Sequence, residues 1–541
     1  MTLNRWALLF LFSFCFVQAY AAEAQGQTVT ETMAPEIHGS LDSSLTYNSV
    51  KGNNSANSSL TKGLNYLDVL GLYGNGKYKD FDYNFNASAR ATDDKRMDNE
   101  KWSMTSLQGR ISNKTHTFTV GDVFESLSQY TLNSQVKGAS YKLSPQGGLL
   151  PEVTLVEGLA YPRWDNFYGG RDEQAVKKQV SGVRVRENVT EKFALGMNTV
   201  ASSDQERSRI FDSDQLYNNH VYSLDAEFKP IDGVTMTSEG AFSRTVESPA
   251  AGVEDSKYGG RAYHVEIVGD QDPSRVSLEY EKVTPQFLTV LGSATPDREK
   301  VKTKWRYKVA KNVTMNTAFL TYWDDLNGQK SYRTKHYKPE IGFTFRKLLD
   351  RQYAVADISY KFDKANGGGY RSGDSYTNLN YRDRFWLLDT DSNFGMIAYR
   401  QSPGVNKSNE FTYNTTVSSR HTVGAFVLKP SIYLGGWNSK NELAAISDKV
   451  YEEAVGLGVD IPRAKITSNI KAGKNRLIKQ EVNTGSTKDF ANLNIFYRPP
   501  FLAKLNQGMI FLKAFVNDFN AENVNNSYRE TSVTMGMTLE F

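Results

Sequence analysis

The sequence predicts an all-β protein: a transmembrane, antiparallel, up-and-down β-barrel of about 26 strands. Three observations predict it. Apolar and polar residues alternate along most of the chain, short and long polar connections alternate between these segments, and no apolar run is long enough for a membrane-spanning helix once the N-terminal residues are set aside. Tyr (30) and Phe (29) are abundant although only 39% of the 541 residues are hydrophobic, which fits a wet interior with aromatic outer rims.

The alternation is clearest in residues 81–89, 222–228, 305–309 and 354–362. In the first of these, Phe81, Tyr83 and Phe85 interleave with polar residues. Successive side chains of a strand point to opposite faces, so each segment has one apolar and one polar face. Charged residues at every second position cannot face lipid, and we expect them to point into a water-filled lumen.

The connections predict the topology. Short periplasmic turns are expected to alternate with longer extracellular loops, which gives about 26 strands, or 22–26 once boundary errors are allowed for. An even strand number places both chain ends in the periplasm. The predicted tight links include residues 74–76, 113–114, 230–233 and 390–392, and the predicted long ones include residues 48–62 and 92–101.

The first 22 residues have the pattern of a secretory signal peptide. Arg5 precedes an apolar run over residues 6–17, and Ala19-Tyr20-Ala21 offers a small-x-small cleavage site, so we expect cleavage near Ala21 or Ala22. Residues 23–34 are then a short periplasmic segment and residues 35–541 the barrel, with no plug domain expected. Cys15 is the only cysteine, so the mature chain is expected to have no disulfide, no thiolate metal site and no covalently attached haem.

The last strand carries a second export-related pattern. Its odd positions are apolar and its even positions are small or polar, and the chain ends on an aromatic residue. This resembles the C-terminal signature of bacterial outer-membrane β-barrels, although Leu539 stands where an aromatic residue is more frequent. The resemblance implies a Gram-negative outer membrane as the location, contact with its lipid, and recognition by the barrel assembly machinery. The residues that match this signature are Val533, Met535, Met537, Leu539 and Phe541.

Charged residues on the polar faces are the candidate lumen lining. Lys302, Lys304, Arg306 and Lys308 form a basic ladder, and the preceding strand presents Glu279 and Glu281. Such a lining could select anions or dock an acidic partner. It could also be a wall whose charges neutralise each other across strands. The remaining candidates mix both signs, so strong ion selectivity does not follow: Arg184, Arg186, Arg382, Arg384, Asp225 and Glu227.

A barrel of about 26 strands encloses a wide interior. If nothing filled this interior, solutes would leak through it across the membrane. Strand number, length and the expected absence of a plug make the architecture similar to the porin-like sheaths of porin–cytochrome conduits, although the cysteine pair near the start of some sheaths is absent. The resemblance implies a multihaem cytochrome as a lumenal or periplasmic partner, with the haems carried by that partner.

The alternative is a general or substrate-specific diffusion porin. With fewer strands, residues 161–178 would suffice as a constricting loop. No nucleophile motif and no metal-ligand cluster stands out, so we expect neither catalysis nor a cofactor. An outer-membrane enzyme or adhesin is the remaining reading. The net charge of +4 is too small to indicate a nucleic-acid partner.

Overall fold

The computed structural model is a closed antiparallel β-barrel in which the first strand pairs with the last. It describes residues 36–146, 150–160, 163–164, 176–208, 211, 213–249, 253–404, 406–479, 484–505, 507–522 and 524–541. The predicted signal peptide and the short segment after it lie outside the described residues. Within the described part of the chain, no helix is long and apolar enough to cross a membrane.

Twenty-seven strand segments occupy 26 positions in the wall, because β20 and β21 both pair with β22. The predicted strand number and up-and-down order are therefore confirmed. The segments are β1 Glu36–Lys51, β2 Gly63–Tyr78, β3 Phe81–Thr92, β4 Trp102–Ser112, β5 His116–Ser126, β6 Asn133–Leu143, β7 Glu152–Leu159, β8 Lys178–Thr190, β9 Phe193–Asp204, β10 Leu216–Phe228, β11 Val234–Ser248, β12 Ser256–Gln271, β13 Ser274–Val283, β14 Arg298–Ala310, β15 Val313–Trp323, β16 Lys335–Arg346, β17 Val355–Gly367, β18 Tyr370–Phe385, β19 Leu388–Ser402, β20 Asn406–Ser419, β21 His421–Val423, β22 Phe426–Asn441, β23 Ile446–Ile461, β24 Ile466–Lys479, β25 Thr484–Tyr497, β26 Gln507–Ala521 and β27 Tyr528–Glu540.

Short 3₁₀ turns lie only in the connections of the described chain, at Ser55–Asn57, Glu206–Ser208, Leu348–Asp350, Pro462–Ala464, Pro500–Lys504 and Val524–Asn526.

The closing seam joins β1 to β27. Leu45 lies opposite Met535 in the register, and the Thr46 and Thr534 hydroxyl oxygens are 2.9 Å apart on the inner face. At the end of the seam, the Gly39 amide donates to the Phe541 carbonyl oxygen (2.7 Å) and the Phe541 amide donates back to Gly39 (2.9 Å). Phe541 thus completes the ladder, and none of the described strands has an unpaired sheet edge.

The two faces of the wall follow the predicted alternation. On β10, Tyr222 and Leu224 are exposed on the outside, whereas Ser223 and Asp225 point inward. On β27, Met535 is exposed on the outside and Thr534 points inward. An outer surface of this kind is suited to hydrocarbon, and an inner one to water.

Two of the predicted tight links are confirmed and two are wrong. Residues 113–115 join β4 to β5, and residues 229–233 join β10 to β11. Residues 74–76 instead lie inside β2, which turns at residues 79–80, and residues 390–392 lie inside β19. Gly74 serves packing rather than turning: a Cβ there would be 2.6 Å from the Phe85 ring on β3.

The two halves of the wall differ at the predicted extracellular end. Between β1 and β16 the connections at this end are mostly long, as predicted. After β16 they shorten, and β17 and β18 are joined by Gly368 and Gly369 alone. Both glycines have a positive φ, the region that suits a tight reversal without a Cβ.

Candidate functional site in the lumen

Two connections fold into the barrel and lie against its inner face. They are residues 127–132, between β5 and β6, and residues 284–297, between β13 and β14, here called the inner loop pair. Backbone hydrogen bonds join them: the Asn133 amide donates to the Leu291 carbonyl oxygen (2.9 Å), and the Ser293 amide donates to that of Gln129 (2.7 Å). The pair therefore bridges strands that are eight positions apart in the wall.

The wall beneath the inner loop pair contributes apolar side chains as well as buried polar ones such as Asn219 and Ser243. Leu127 and Leu132 pack in one cluster, and Tyr130 and Phe287 pack in a second with their rings edge-to-face at 5.6 Å. Gly182 makes room for Leu127, because a Cβ there would lie 2.9 Å from Leu127 Cδ1. Burying such a side chain contributes about 1.5–3 kcal/mol. The inward apolar residues beneath the pair are Val156, Val180, Val200, Val221, Ala241, Ala262 and Val283.

Polar contacts hold the loop pair at its lower edge. The Tyr130 hydroxyl lies 3.2 Å from Glu281 Oε1, and Gln129 Nε2 donates to the same oxygen at 3.0 Å. Glu281 is buried, and Lys300 Nζ lies 2.9 Å from its other oxygen. Lys300 also contacts Glu279 at 2.7 Å, so the carboxylates are neutralised where they are least hydrated.

Arg184 and Asp225 form the second ionic contact beneath the loops. Both guanidinium nitrogens lie 3.0 Å from the two carboxylate oxygens, and Asn198 Nδ2 donates to Asp225 at 2.7 Å. Arg184 also donates to the Leu127 carbonyl oxygen, which ties the pair to the loop. At the next inward position of β8, Arg186 contacts Glu227 at 2.8 Å. These side chains line a cleft of about 470 Å³ together with Glu239 and His264.

Ion pairs within the described chain neutralise the two ends of the basic ladder but not its middle. Lys302 lies 3.5 Å from Glu279, and Lys308 pairs with Asp272 near the short-turn rim. Among the described residues, Lys304 and Arg306 make no ion pair within 4 Å. The register places them opposite Ser277 and Arg275. Neutralisation across strands thus applies to Lys302 and Lys308, while anion selection or docking of an acidic partner by Lys304 and Arg306 stays a prediction.

Arg382 and Arg384 lie away from this region, at the short-turn rim of β18. Arg382 Nε contacts Asp391 at 3.1 Å and Arg384 Nε contacts Asp389 at 2.5 Å. The Arg382 side chain is 74% exposed, so the contact is screened by water. The structure therefore places these two arginines at an entrance to the lumen. Of the five residues matching the C-terminal signature, Val533, Met535 and Met537 are exposed, on the outer face of the wall.

Most of residues 161–178, predicted as a possible constricting loop, lies outside the described residues. Two described residues in it contact the barrel. Trp164 is buried and its Nε1 donates to Asp122 Oδ2 at 2.8 Å, beside Lys137, which contacts Asp122 Oδ1 at 2.8 Å. Arg163 contacts Asp98 at 2.7 Å, in the connection between β3 and β4.

Asp98 is the most strongly stabilised carboxylate of these connections. Burial alone would raise its pKa. The Glu100 amide, Arg163, Ser103 and Arg90 outweigh burial, because they donate to or attract the ionised form, and the pKa lies well below its usual range.

The sequence indicates residues 120–130 as a distinct loop that could fold inward, but it does not relate this segment to residues 284–297. In the structure residues 120–126 belong to β5, and only the rest of the segment is a connection. The missed signal lies on the strands. Val221 and Val283 stand on strands whose other inward residues are mainly polar, and five more strands carry a buried Val or Ala beneath the loops. His264 Nε2 lies 3.6 Å from Glu279, and no cluster of three metal-ligating residues occurs in the described chain.

A closed wall with an apolar exterior and a polar lumen defines this chain as a transmembrane β-barrel of the outer-membrane type. No family model matches the sequence, and no curated protein matches it. Among solved structures, it is similar to the outer membrane transporter YddB from Escherichia coli, with a TM-score of 0.43, 8% identity, and coverage of 93% of this chain and 80% of that one.

The P pilus usher (PapC) translocation pore gives a TM-score of 0.36 at 11% identity, covering 92% of this chain and 99% of that one. OccAB4 of Acinetobacter baumannii gives 0.31 at 9% identity, covering 95% and 100%. Similarities this low carry no information about function.

Proposed function

We propose that the protein forms a water-filled passage across the outer membrane. The observation that supports this is the uneven filling of the lumen. Among the described residues, the inner loop pair packs against the wall from β5 to β13, while extensive contacts between wall strands join sequential or closing neighbours only. Within the described part of the chain, no comparable layer packs against the wall from β14 to β27, which supports an open space on that side.

The inner loop pair narrows this passage from one side. Its lower edge carries the charged cleft that includes Arg184, Asp225 and Glu239, and the unpaired cations Lys304 and Arg306 lie further along the same wall. A passage lined in this way favours small hydrophilic solutes and discriminates weakly by charge.

Conductance in planar lipid bilayers tests the proposal. The purified protein is expected to give discrete, long-lived current steps in salt solution. A protein that inserts, shown by protection of its strands from protease, and yet conducts no ions would contradict the proposal.

A second candidate function follows from the width of the barrel. Strands about 4.8 Å apart and tilted by about 40° give a 26-stranded circular wall a diameter of about 50 Å between backbones. A lumen of that size can hold a folded protein, and the resemblance to conduit sheaths suggests a multihaem cytochrome. An acidic partner would be attracted by Lys304 and Arg306, which make no ion pair in the described chain.

Co-purification distinguishes the two. Under the sheath hypothesis, extraction from native membranes in mild detergent yields a stoichiometric partner that stains for haem, and the isolated barrel conducts far more than the complex. If the barrel is recovered alone from native membranes and conducts as the isolated barrel does, the sheath hypothesis is contradicted. The proposed water-filled passage would then stand.

A further inference from the structure

The lumen face of β24–β27, across from the inner loop pair, combines phenyl rings with lysines. Its inward orientation follows from the register: Lys513 lies opposite Thr534, which bonds to Thr46 on the inner face, and Phe511 lies opposite Gly536. We call this surface the aromatic–lysine face; its residues are Lys488, Lys513, Phe490, Phe511, Phe515 and Phe519.

Two of the rings lie over glycines of neighbouring strands. A Cβ at Gly473 would lie 2.8 Å from Phe490 Cζ, and a Cβ at Gly536 would lie 2.5 Å from Phe511 Cζ. Because each ring covers the position of a missing side chain, it lies along the sheet and turns a face toward the lumen. A ring held in this way can stack with a planar solute.

Lysines lie over rings of the aromatic–lysine face. Lys488 Nζ is 5.3 Å from the centre of the Phe519 ring, and Lys513 Nζ is 4.7 Å from that of Phe511. In the described chain, neither ammonium group has a carboxylate within 4 Å. Each therefore keeps its charge available to a ligand while the ring stabilises it by a cation–π contact.

A cleft of about 370 Å³ lies within this face. It is lined by Lys488, Phe490 and Phe515, with amide groups of Asn475, Asn492 and Asn517 around them. Its one carboxylate, Glu452, is 3.8 Å from Lys471, so the cleft carries a net positive charge. This volume accommodates a single-ring molecule.

We propose that the aromatic–lysine face is a binding site for small anionic ring compounds, with aromatic carboxylates as the ligand class. The ligand carboxylate pairs with Lys488 or Lys513, and its ring packs against Phe490 or Phe515, which line the cleft. The rings are phenylalanines without a hydroxyl group, which favours an apolar aromatic ring over a sugar. The lysine–ring contacts at two levels of the wall offer successive weak sites, as transport through a pore requires.

The inference rests on the proposed passage, since a solute reaches this face only through lumenal water. Saturation-transfer NMR on the purified barrel in detergent tests binding separately from conductance. Benzoate is expected to bind with millimolar affinity, and the uncharged benzamide and the non-aromatic sugar acid glucuronate at least several times more weakly. The Lys488→Gln/Lys513→Gln double variant should weaken benzoate binding about tenfold or more, because charge-assisted hydrogen bonds are lost.

Lys304→Gln is the matched control. It removes a lumen-facing ammonium group from another part of the wall and should leave benzoate binding unchanged. A Phe490→Leu/Phe515→Leu variant should weaken binding of benzoate while leaving chloride conductance in place. Equal binding of benzamide, or of glucuronate, overturns the inference, as does an equal effect of Lys304→Gln. If benzoate binds but the barrel conducts no ions, only the proposed passage is overturned. If the barrel conducts ions but does not bind benzoate, only the proposed binding site is overturned.

Discussion

Gly260, on the inner face of β12, lies directly beneath the backbone at Phe287. A Cβ at Gly260 would be 2.5 Å from the Gln286 carbonyl carbon, a distance that real Cβ atoms do not reach. The neighbour is backbone rather than a flexible side chain, so the loop as a whole would have to move. The absence of a single methyl group thus allows residues 284–297 to lie against the wall.

The substitution Gly260→Ala is therefore expected to lift this loop from the wall. Overpacking of this kind costs about 1–3 kcal/mol, measured by urea unfolding in lipid vesicles. Chymotrypsin should cut at Phe287, which is fully buried in the native protein. Gly269→Ala on the same strand is the control, because nothing lies within 4 Å of its added Cβ. Equal behaviour of the two variants would refute the packing argument.

Tyr130 separates the contribution of packing from that of hydrogen bonding. Tyr130→Phe keeps the edge-to-face contact with Phe287 and loses the hydroxyl near Glu281, at an expected cost of about 1–3 kcal/mol. Tyr130→Ala also loses the ring and should cost about 3–5 kcal/mol. The free energy of unfolding of both variants measures the difference. If Tyr130→Phe were as damaging as Tyr130→Ala, the ring would contribute nothing.

The lowered pKa of Asp98 predicts a pH dependence in the connection between β3 and β4. A carboxyl whose pKa is lower in the folded than in the unfolded state stabilises the fold at pH values above its unfolded pKa, about 3.9. This stabilisation is lost as the pH falls from there toward the folded pKa. The trypsin resistance of this connection, cut at Lys95 or Lys101, should stay constant from pH 8 to pH 5.

Asp98→Asn is expected to lose the resistance already at pH 7, since Arg90 and Arg163 then face an uncharged amide. Asp93→Asn, in the same connection and without these arginine contacts, serves as the control. If the Asp98→Asn variant resists trypsin at pH 7 as well as the native protein does, the ion pairs of Asp98 with Arg90 and Arg163 do not stabilise this connection.

The middle of the basic ladder, where Lys304 and Arg306 have no ion pair in the described chain, should govern ion preference. Lys304→Gln/Arg306→Gln is expected to shift the reversal potential in a potassium chloride gradient toward cation permeation, because two uncompensated lumenal charges are removed. Arg382→Gln/Arg384→Gln removes the same charge at the rim, where the arginines and their aspartate partners are largely exposed and screened by water. The rim variant should change the potential little. A larger effect at the rim would place the charge filter at the entrance.

Side-chain alternation predicted the barrel well because one physical requirement, lipid outside and water inside, acts on every residue of a strand. Glycine was less informative. Gly74 and Gly76 suggested a turn, whereas both lie in β2 next to aromatic rings of β3. A sequence does not distinguish a glycine that permits a turn from one that accommodates a neighbouring ring, since the ring comes from another strand.

The lumen site was predicted only in part for a related reason. Lys302 and Glu279 could be brought together by the register of adjacent strands. The inner loop pair depends on contacts between residues near 130 and residues near 287, which no local pattern relates. The valines and alanines beneath the pair were the available signal, and it becomes visible only when the inner faces of seven strands are compared.

The inner loop pair also makes the cylinder mechanically uneven. From β5 to β13 the wall has a second layer bonded to it, whereas in the described part of the chain the strands from β17 onward form a single sheet joined by short connections. A single sheet bends more easily than two bonded layers, so any change in the cross-section is concentrated on the thin side. Stretching of the bilayer would accordingly widen the lumen beside β24–β27 first, while the thick side keeps its curvature.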